Sequence, residues 1–199
     1  MMKRIIVILF YFCFIINLFS QREERNMIGL TFSTLLNDKL LGEPSSSVWA
    51  YSQINNSAAV GVTYLHQLNS LFDLETGVEL MVYQMELGSV SIPNFSNTNI
   101  SETRLMINLP LTARYYFLNY LFANGGLLLD VDWSKNKEIS NQSGIGIMGG
   151  LGFNYDFKFG GSVFVNPYVK LHSLIPFGSW ENHQRVLDAG VRVGVMYRL

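Results

Sequence analysis

The feature that most constrains this chain is a strict alternation of apolar and polar residues, clearest in its last segment. Every second position there is apolar: Leu187, Ala189, Val191, Val193, Val195, Tyr197 and Leu199. The positions between them hold Asp188, Gly190, Arg192, Gly194, Met196 and Arg198. Successive side chains of a β-strand point to opposite faces of its sheet, so the pattern predicts a strand with one apolar and one polar face.

The same period of two recurs along the chain, and it predicts eight strands: 27–34, 58–66, 71–87, 102–117, 121–133, 144–157, 162–172 and 187–199. Their connections alternate between long ones of 10 to 23 residues and short ones of 3 or 4. A barrel threaded through one membrane has this property, because its outer loops are free to grow while its periplasmic turns stay short. The sequence therefore predicts an all-β fold, an eight-stranded antiparallel up-and-down transmembrane β-barrel.

The two faces of these strands decide between a membrane barrel and a soluble one. A lipocalin-like barrel would turn its apolar face inward, whereas a membrane barrel turns it outward. The charged face is also rich in glycine, as at Gly150 and Gly152, which suits the narrow interior of eight strands. The opposite face forms long bands without charge, for example every second residue from Leu105 to Phe117. These features favour lipid on the outside.

Composition and the first residues point to export. Lys3 and Arg4 precede an apolar run from Ile5 to Ile16, the order of a secretory signal peptide, which we place at residues 1–20 with the barrel domain at 21–199. The run is shorter than the roughly 20 residues of a transmembrane helix. The only cysteine, Cys13, lies in this leader. Without the leader the chain has 12 basic and 15 acidic residues, a formal charge of −3, so we expect no nucleic-acid partner.

Charged side chains on the predicted inner face indicate a network that fills the bore. We assign to it Glu75, Glu79, Arg114, Lys170, Asp188 and Arg192. Symmetric pairing about the loops would set Glu75 opposite Arg114 and Lys170 opposite Asp188, which is stabilising across a ladder. Because eight strands leave no aqueous channel, a plugged bore is favoured over a selective pore.

Aromatic residues recur at one height on the predicted outer face. Four tyrosines lie two residues before the end of descending strands, and Trp133 lies at the opposite rim; the tyrosines are Tyr64, Tyr115, Tyr155 and Tyr197. Aromatic residues are enriched where a membrane barrel meets the lipid headgroups. We therefore predict an aromatic girdle at these positions, although tyrosine is also common in strands for other reasons.

Several motifs resemble a known family. The run Ile107 to Phe117, INLPLTARYYF, resembles the characteristic strand of the outer-membrane β-barrel domain family of Bacteroidetes, also called PorT-like, which has the OmpA-type eight-stranded architecture. The runs NGGL at 124–127, GGLGFNY at 149–155 and GVMYRL at 194–199 are similar to its following strands. This resemblance implies an outer-membrane location and says almost nothing about activity. The final Leu199 departs from the Phe that often ends such barrels.

The residues give little support for catalysis. Acyl transfer needs a nucleophile and a base within hydrogen-bond reach. His172 and Ser173 are adjacent, and strand neighbours face opposite ways, while His66 lies at the periplasmic end. No metal-ligand spacing occurs. We therefore assign no catalytic, cofactor or metal residues and expect no enzyme. Pro110 and Pro167 interrupt predicted strands, and we expect a local bulge at each.

The function that follows is an integral outer-membrane barrel with a structural or loop-mediated binding role. The expected partners are outer-membrane lipid, periplasmic chaperones with the barrel-assembly machinery, and an extracellular ligand held by the loops. The loops carry aromatic residues that suit such contacts but also suit packing over the barrel mouth: Trp49, Tyr51, Phe95, Phe177 and Trp180. The alternatives are an enzyme acting on lipid or peptide at the outer rim, with His172 or His183, and a small pore.

Overall fold

A computed structural model describes residues 26–41, 49–89, 99–134, 141–178 and 185–199. These residues form eight strands and no helix long and apolar enough to cross a membrane. The strands are β1 Asn26–Leu41, β2 Trp49–Gln67, β3 Phe72–Ser89, β4 Asn99–Tyr116, β5 Leu121–Asp132, β6 Gly144–Asp156, β7 Gly161–Pro176 and β8 Arg185–Arg198. The predicted signal peptide at 1–20 lies outside the described residues.

Each strand pairs antiparallel with its neighbours in the chain, and β1 pairs with β8, so the sheet closes into a barrel. The predicted eight-stranded antiparallel barrel is confirmed. Closure satisfies the backbone hydrogen bonds that an open sheet would leave at its two edges. We call the end with the short turns the lower end and the end with the long connections the upper end.

The two faces of the wall are as the alternation predicts. Along β8, Asp188 and Arg192 are buried in the bore, whereas Val193 and Val195 point outward. The outward apolar side chains are largely uncovered: Leu30 is 69% exposed and Leu151 is 63% exposed. The buried side chains are therefore those of the inner face, which carries the charges, and the outer face is apolar and exposed, the reverse of a soluble protein.

The strand limits differ from prediction mainly at the upper end. Strands β1, β2 and β3 were expected to end or begin at 34, 58 and 87, and they reach Leu41, Trp49 and Ser89. Mixed apolar and polar residues continue the ladders there, because backbone pairing does not depend on an alternating side-chain pattern. Trp49 and Tyr51, expected in a loop, therefore belong to β2.

The prediction of a bulge at each of the two prolines is wrong. Pro110 pairs with Leu128 of β5 and Pro167 with Val191 of β8, in register with their neighbours. On the other side, the ladder to β3 lacks pairs between Thr76 and Glu79 and resumes in the same register. Proline removes one donor toward one neighbouring strand, and the described ladders tolerate that gap without an extra residue.

Candidate functional site in the barrel interior

The lower end of the bore is closed by apolar side chains, which we call the apolar plug: Met27, Leu65, Tyr116, Phe122, Phe164 and Met196. The Phe122 and Phe164 rings meet edge to face, with centroids 6.3 Å apart. Inward glycines make room for them, since a Cβ on Gly152 would overlap the Phe122 ring and one on Gly194 the Phe164 ring. The glycines of the inner face therefore serve to admit large rings into a narrow bore.

Arg114 joins this plug to the charges above it. Its guanidinium carbon lies 4.5 Å from the centroid of Phe122 and 4.4 Å from that of Phe164. The same group donates to both carboxylate oxygens of Glu75, from Nε at 2.6 Å and from Nη2 at 3.0 Å. A guanidinium is suited to this combination of cation–π contacts and a bidentate ion pair.

Three further charges complete what we call the ion-pair layer, which comprises Glu75, Glu79, Arg114, Lys170 and Arg192. Arg192 Nη2 lies 2.9 Å from Glu75 Oε1, and its Nη1 lies 3.5 Å from Glu79 Oε1. Lys170 Nζ pairs with Glu79 Oε2. Asn166 accepts a hydrogen bond of 3.1 Å from Arg192. Both carboxylates are thus shared between two cations within a buried layer.

Of the two strand registers predicted from symmetric pairing about the loops, one is confirmed and one is wrong. Lys170 lies opposite Asp188, as predicted, but its ammonium reaches Glu79 across the bore. Arg114 lies opposite Asp73, not Glu75, and Glu75 lies opposite Thr112. The true register differs from the predicted one by two residues, so Glu75 and Arg114 are diagonal neighbours on the inner face, and long side chains bridge such a diagonal.

Above this layer lies a histidine cluster, formed by Tyr83, Asp130, His172 and Asp188. His172 Nε2 is 2.7 Å from Asp188 Oδ2, and its Nδ1 is 3.1 Å from Asp130 Oδ2. Tyr83 donates to Asp188 Oδ2 at 2.7 Å. His172 follows Lys170 by two residues on the inward face, so the alternation alone could have placed it in the network. Asp188, predicted in one network with Lys170, belongs to this cluster instead.

A bulge in β7 overturns the argument that His172 and Ser173 face opposite ways. Between Ile145 and Ile147 the register of β6 with β7 shifts, and three residues of β7 stand opposite Gly146 alone. Ser173 has φ 49° and is fully buried, as is His172. The left-handed backbone turns both side chains to the interior, where Ser173 N donates to Asp130 at 3.2 Å.

At the upper rim, Asp132 ties the β5–β6 connection to the wall. Its carboxylate pairs with Arg104 at 3.0 Å and accepts hydrogen bonds from the backbone N–H groups of Ser134 and Gln142. The Gln142 side chain is buried and accepts from Val186 N at 3.3 Å. Ser134 and Gln142, from the two ends of this connection, are therefore held at the upper opening of the bore.

The predicted girdle residues all lie on the outer face. Tyr115, Tyr155 and Tyr197 are 38%, 42% and 58% exposed, and Tyr64 is half-buried on the same face. Trp133, at the upper rim, is 65% exposed. The prediction missed one residue of the aromatic girdle at the lower end. Tyr120, in the turn after β4, stacks on Tyr155 with ring centroids 5.9 Å apart. Phe95, Trp180 and His183 lie outside the described residues.

The chemistry available in this interior is that of a closed, charged core. Among the described residues, no group of three or more His, Cys, Asp or Glu side chains is placed to hold a metal ion. The charged atoms of the ion-pair layer and the histidine cluster are almost completely buried. Their ion pairs join strands across the bore, as between Lys170 of β7 and Glu79 of β3.

Comparisons with known proteins bear on the fold. No family model and no curated protein matches the chain. The crystal structure of the outer membrane protein OprG from Pseudomonas aeruginosa is similar at 15% identity and TM-score 0.57, over 88% of this chain and 96% of that one. The outer membrane protein AlkL, solved in lipid bilayers, is similar at 13% identity and TM-score 0.52, over 89% and 91%.

At these identities the likeness concerns the fold. The chain has the fold of outer-membrane β-barrels, and the predicted outer-membrane location is consistent with that of both neighbours. The narrower resemblance to the barrel family of Bacteroidetes stays a prediction.

Proposed function

We propose that this chain is an integral outer-membrane β-barrel with a sealed bore, which acts as a rigid, non-catalytic support for a binding or structural role of its outer loops. The observation that carries the proposal is the combination of a filled charged interior with an apolar exterior. A pore needs an open interior, and a soluble barrel needs a polar exterior.

The exterior supports insertion into lipid. Exposed apolar side chains continue around the wall on all eight strands, as at Phe32, Leu80, Leu111 and Val165. Soluble monomers rarely expose a contiguous apolar patch of more than a few hundred Å². A lipid bilayer removes this cost, and the aromatic belt lies where the barrel would meet the headgroups.

The interior supports closure rather than conduction. The apolar plug fills the lower end, and the ion-pair layer crosses the bore directly above it. An ion entering from below would have to displace Phe122, Phe164 and the guanidinium of Arg114. We therefore rank the small pore below the closed barrel.

An enzyme at the outer rim is the second candidate, and the histidine cluster is the observation that favours it. A histidine between two aspartates, with Ser173 turned to the same side, contains the residue types of acyl transfer. The cluster is fully buried, however, and His172 Nε2 is hydrogen-bonded to Asp188 and to the Tyr83 hydroxyl, while its Nδ1 lies at ion-pair distance from Asp130. A substrate would reach it only if the upper bore opened.

The proposal extends to location and partners. A signal peptide at residues 1–20 would export the chain, and periplasmic chaperones with the barrel-assembly machinery would insert it. The motifs INLPLTARYYF and GGLGFNY support kinship with the barrel family of Bacteroidetes. The loops at the upper end would then meet an extracellular ligand.

The facing of the wall tests the membrane proposal directly. Val193 lies four residues above Tyr197, roughly 13 Å along the strand, near the middle of the apolar band. Val193→Arg should destabilise the barrel by about 2–4 kcal/mol in a bilayer, because the charge enters hydrocarbon. Arg192→Ala should destabilise it in bilayer and detergent alike, because Glu75 and Glu79 each lose a partner. Urea unfolding in both media, followed on gels by the heat-modifiable band, measures the difference.

The opposite pattern would refute the proposal. A mature protein that is monomeric and stable without detergent, in which Arg192→Ala costs less than about 0.5 kcal/mol, would be a soluble barrel. Planar-bilayer recording tests the sealed bore separately, and we expect no steady ionic current from the wild type. A stable open current would favour the pore.

A further inference from the structure

An apolar groove runs along the outside of the wall at the lower end, where β7, β8 and β1 meet. Its walls are outward side chains of these strands and of β2, and its volume is about 440 Å³. The lining side chains include Ile28, Leu30, Val62, Val163, Val195 and Tyr197. Apart from Ser162 and the tyrosine hydroxyl, the lining residues carry no polar side-chain atom, so the groove suits a hydrocarbon chain.

Part of the groove's floor is backbone without an outward side chain. Gly161 of β7 lines it on the outer face, and the backbone of Gly29 lines it from β1, where an added side chain would point inward toward Met196. The Phe159 ring folds over Gly161, where an added Cβ would overlap it, and Phe159 is itself 70% exposed. The aromatic ring thus forms the lower end of the groove, beside the one outward position, Gly161, where its lining carries no side chain.

The height of the groove places it in one leaflet. Ile28 pairs with Tyr64 on one side and Tyr197 on the other, so this end of the groove lies at the girdle. Leu30, paired with Val62 and Val195, lies one residue pair higher, roughly 7 Å along the strand toward hydrocarbon. A molecule in the groove would have its chain in lipid and its polar end at the girdle.

The lower end of the groove carries the only charge of the short turns. The turns at 68–71 and 117–120 have no charged residue, whereas the turn at 157–160 has Lys158. Lys158 is exposed and stands between Phe157 and Phe159, which both line the groove. The nearest acidic residue in the chain, Asp156, accepts a hydrogen bond from Asn154. An ammonium at the headgroup level attracts anionic lipid.

We propose that this groove is a binding site for one anionic phospholipid, with an acyl chain lying along the outward side chains of β1 and β8 and its phosphate at Lys158. The inference rests on the proposed membrane insertion. The proposed site goes beyond membrane insertion, because bulk lipid would contact every part of the wall equally. This site would instead retain one lipid molecule and select it by charge.

The test is lipid retention by the detergent-solubilised barrel, measured by native mass spectrometry. Phosphatidylglycerol and phosphatidylcholine of the same acyl chains are added in turn. We expect one phosphatidylglycerol to be retained more strongly than phosphatidylcholine. Lys158→Gln should weaken its binding about fivefold, the contribution of one lysine near an anionic surface, and should leave phosphatidylcholine unchanged.

A pair of matched variants tests the groove itself. Val195→Trp fills it, whereas Val193→Trp adds the same bulk on the same face of β8 outside the lining residues. Val195→Trp should abolish the retained lipid and Val193→Trp should preserve it. Both lie on the outer wall, and the heat-modifiable band verifies that each barrel is folded.

Several results would overturn the site. These are equal retention of both lipids, wild-type binding in Lys158→Gln or Val195→Trp, and a dimer that only Val195→Trp dissociates, which would make the groove a contact between two copies. In each case a folded barrel that requires detergent leaves the proposed function intact. A mature chain that stays soluble without detergent would instead refute the proposed function.

Discussion

The apolar plug and the ion-pair layer are neighbours in one bore, and they fill it in opposite ways. The plug closes the lower end with rings and thioethers that require only matching volumes. The layer above it fills the bore with charged side chains, each of which requires a partner of the opposite sign. Arg114 joins the two, since its guanidinium lies over the Phe122 and Phe164 rings of the plug and pairs with Glu75 of the layer.

The difference indicates how each region should respond to change. Removing atoms from the plug leaves a void, whose cost depends on how far the neighbours can relax. Removing one charge from the layer leaves another charge buried without a partner, which relaxation does not repair. The layer should therefore be the more sensitive region to single substitutions and the more tolerant one to paired substitutions.

The largest effect is expected from Glu75→Ala. This change removes the carboxylate that Arg114 and Arg192 share, and we expect a loss of about 3–5 kcal/mol in the free energy of unfolding. Urea titration of the barrel in lipid vesicles measures it. Asp156→Ala is the control, because that carboxylate is inward but only half-buried at the lower rim. Equal losses would mean that burial of the pair does not matter.

Leu65→Ala tests the plug. Leu65 is 2% exposed, and its truncation should cost about 2–5 kcal/mol, since the removed atoms leave a cavity. Leu80→Ala on the outer wall removes the same atoms where lipid can fill the space, so its cost should be smaller. The same unfolding titration compares them, and a larger cost at Leu80 would contradict the assignment of the faces.

Tyr83→Phe probes the histidine cluster above the layer. The hydroxyl donates to the Asp188 carboxylate, and a hydrogen bond to a charged group contributes about 1.5–3 kcal/mol. Tyr115→Phe, on the outer wall, should change the free energy of unfolding by less than about 0.5 kcal/mol. Indistinguishable values for the two variants would show that the cluster contributes no more than the wall.

The smallest effect is expected from the double change Glu79→Met with Lys170→Met. Glu79→Met leaves Lys170 without its carboxylate, and Lys170→Met leaves Glu79 with Arg192 alone. The double change removes both charges and fills their space, and Arg192 keeps Glu75, so the net effect should be near zero or stabilising. A double-mutant cycle measures the coupling. If the double variant were as unstable as the sum of the single ones, the layer would hold no specific pair.

Sequence reasoning was most successful where a local rule repeats. The period of two assigned the faces of every strand, and it placed Glu75, Arg114, Lys170 and Arg192 inside because each occupies an alternate position. The closed eight-stranded fold followed from the number of such segments and the long and short connections. Both rules depend only on neighbouring residues, so no partner strand had to be known.

Errors arose where the outcome depended on a partner strand. The symmetric register set Glu75 opposite Arg114, but the ladder selects Asp73, because loop length fixes register only when the turn geometry is known. Strict alternation set His172 and Ser173 on opposite faces, and the bulge in β7 turned both inward. A bulge is defined by the pairing of two strands, so the residue pattern of one strand did not reveal it.

The sequence by itself determined the strands, the faces and the class of residue that fills the bore, since these follow from backbone geometry and from the preference of apolar side chains for lipid. Only the tertiary structure decided which charges pair. Lys170 lies opposite Asp188 in the ladder but pairs with Glu79 of β3, which is not a neighbouring strand. Contacts across a closed bore join residues far apart in the chain, and they exist only once closure has fixed the diameter and the register.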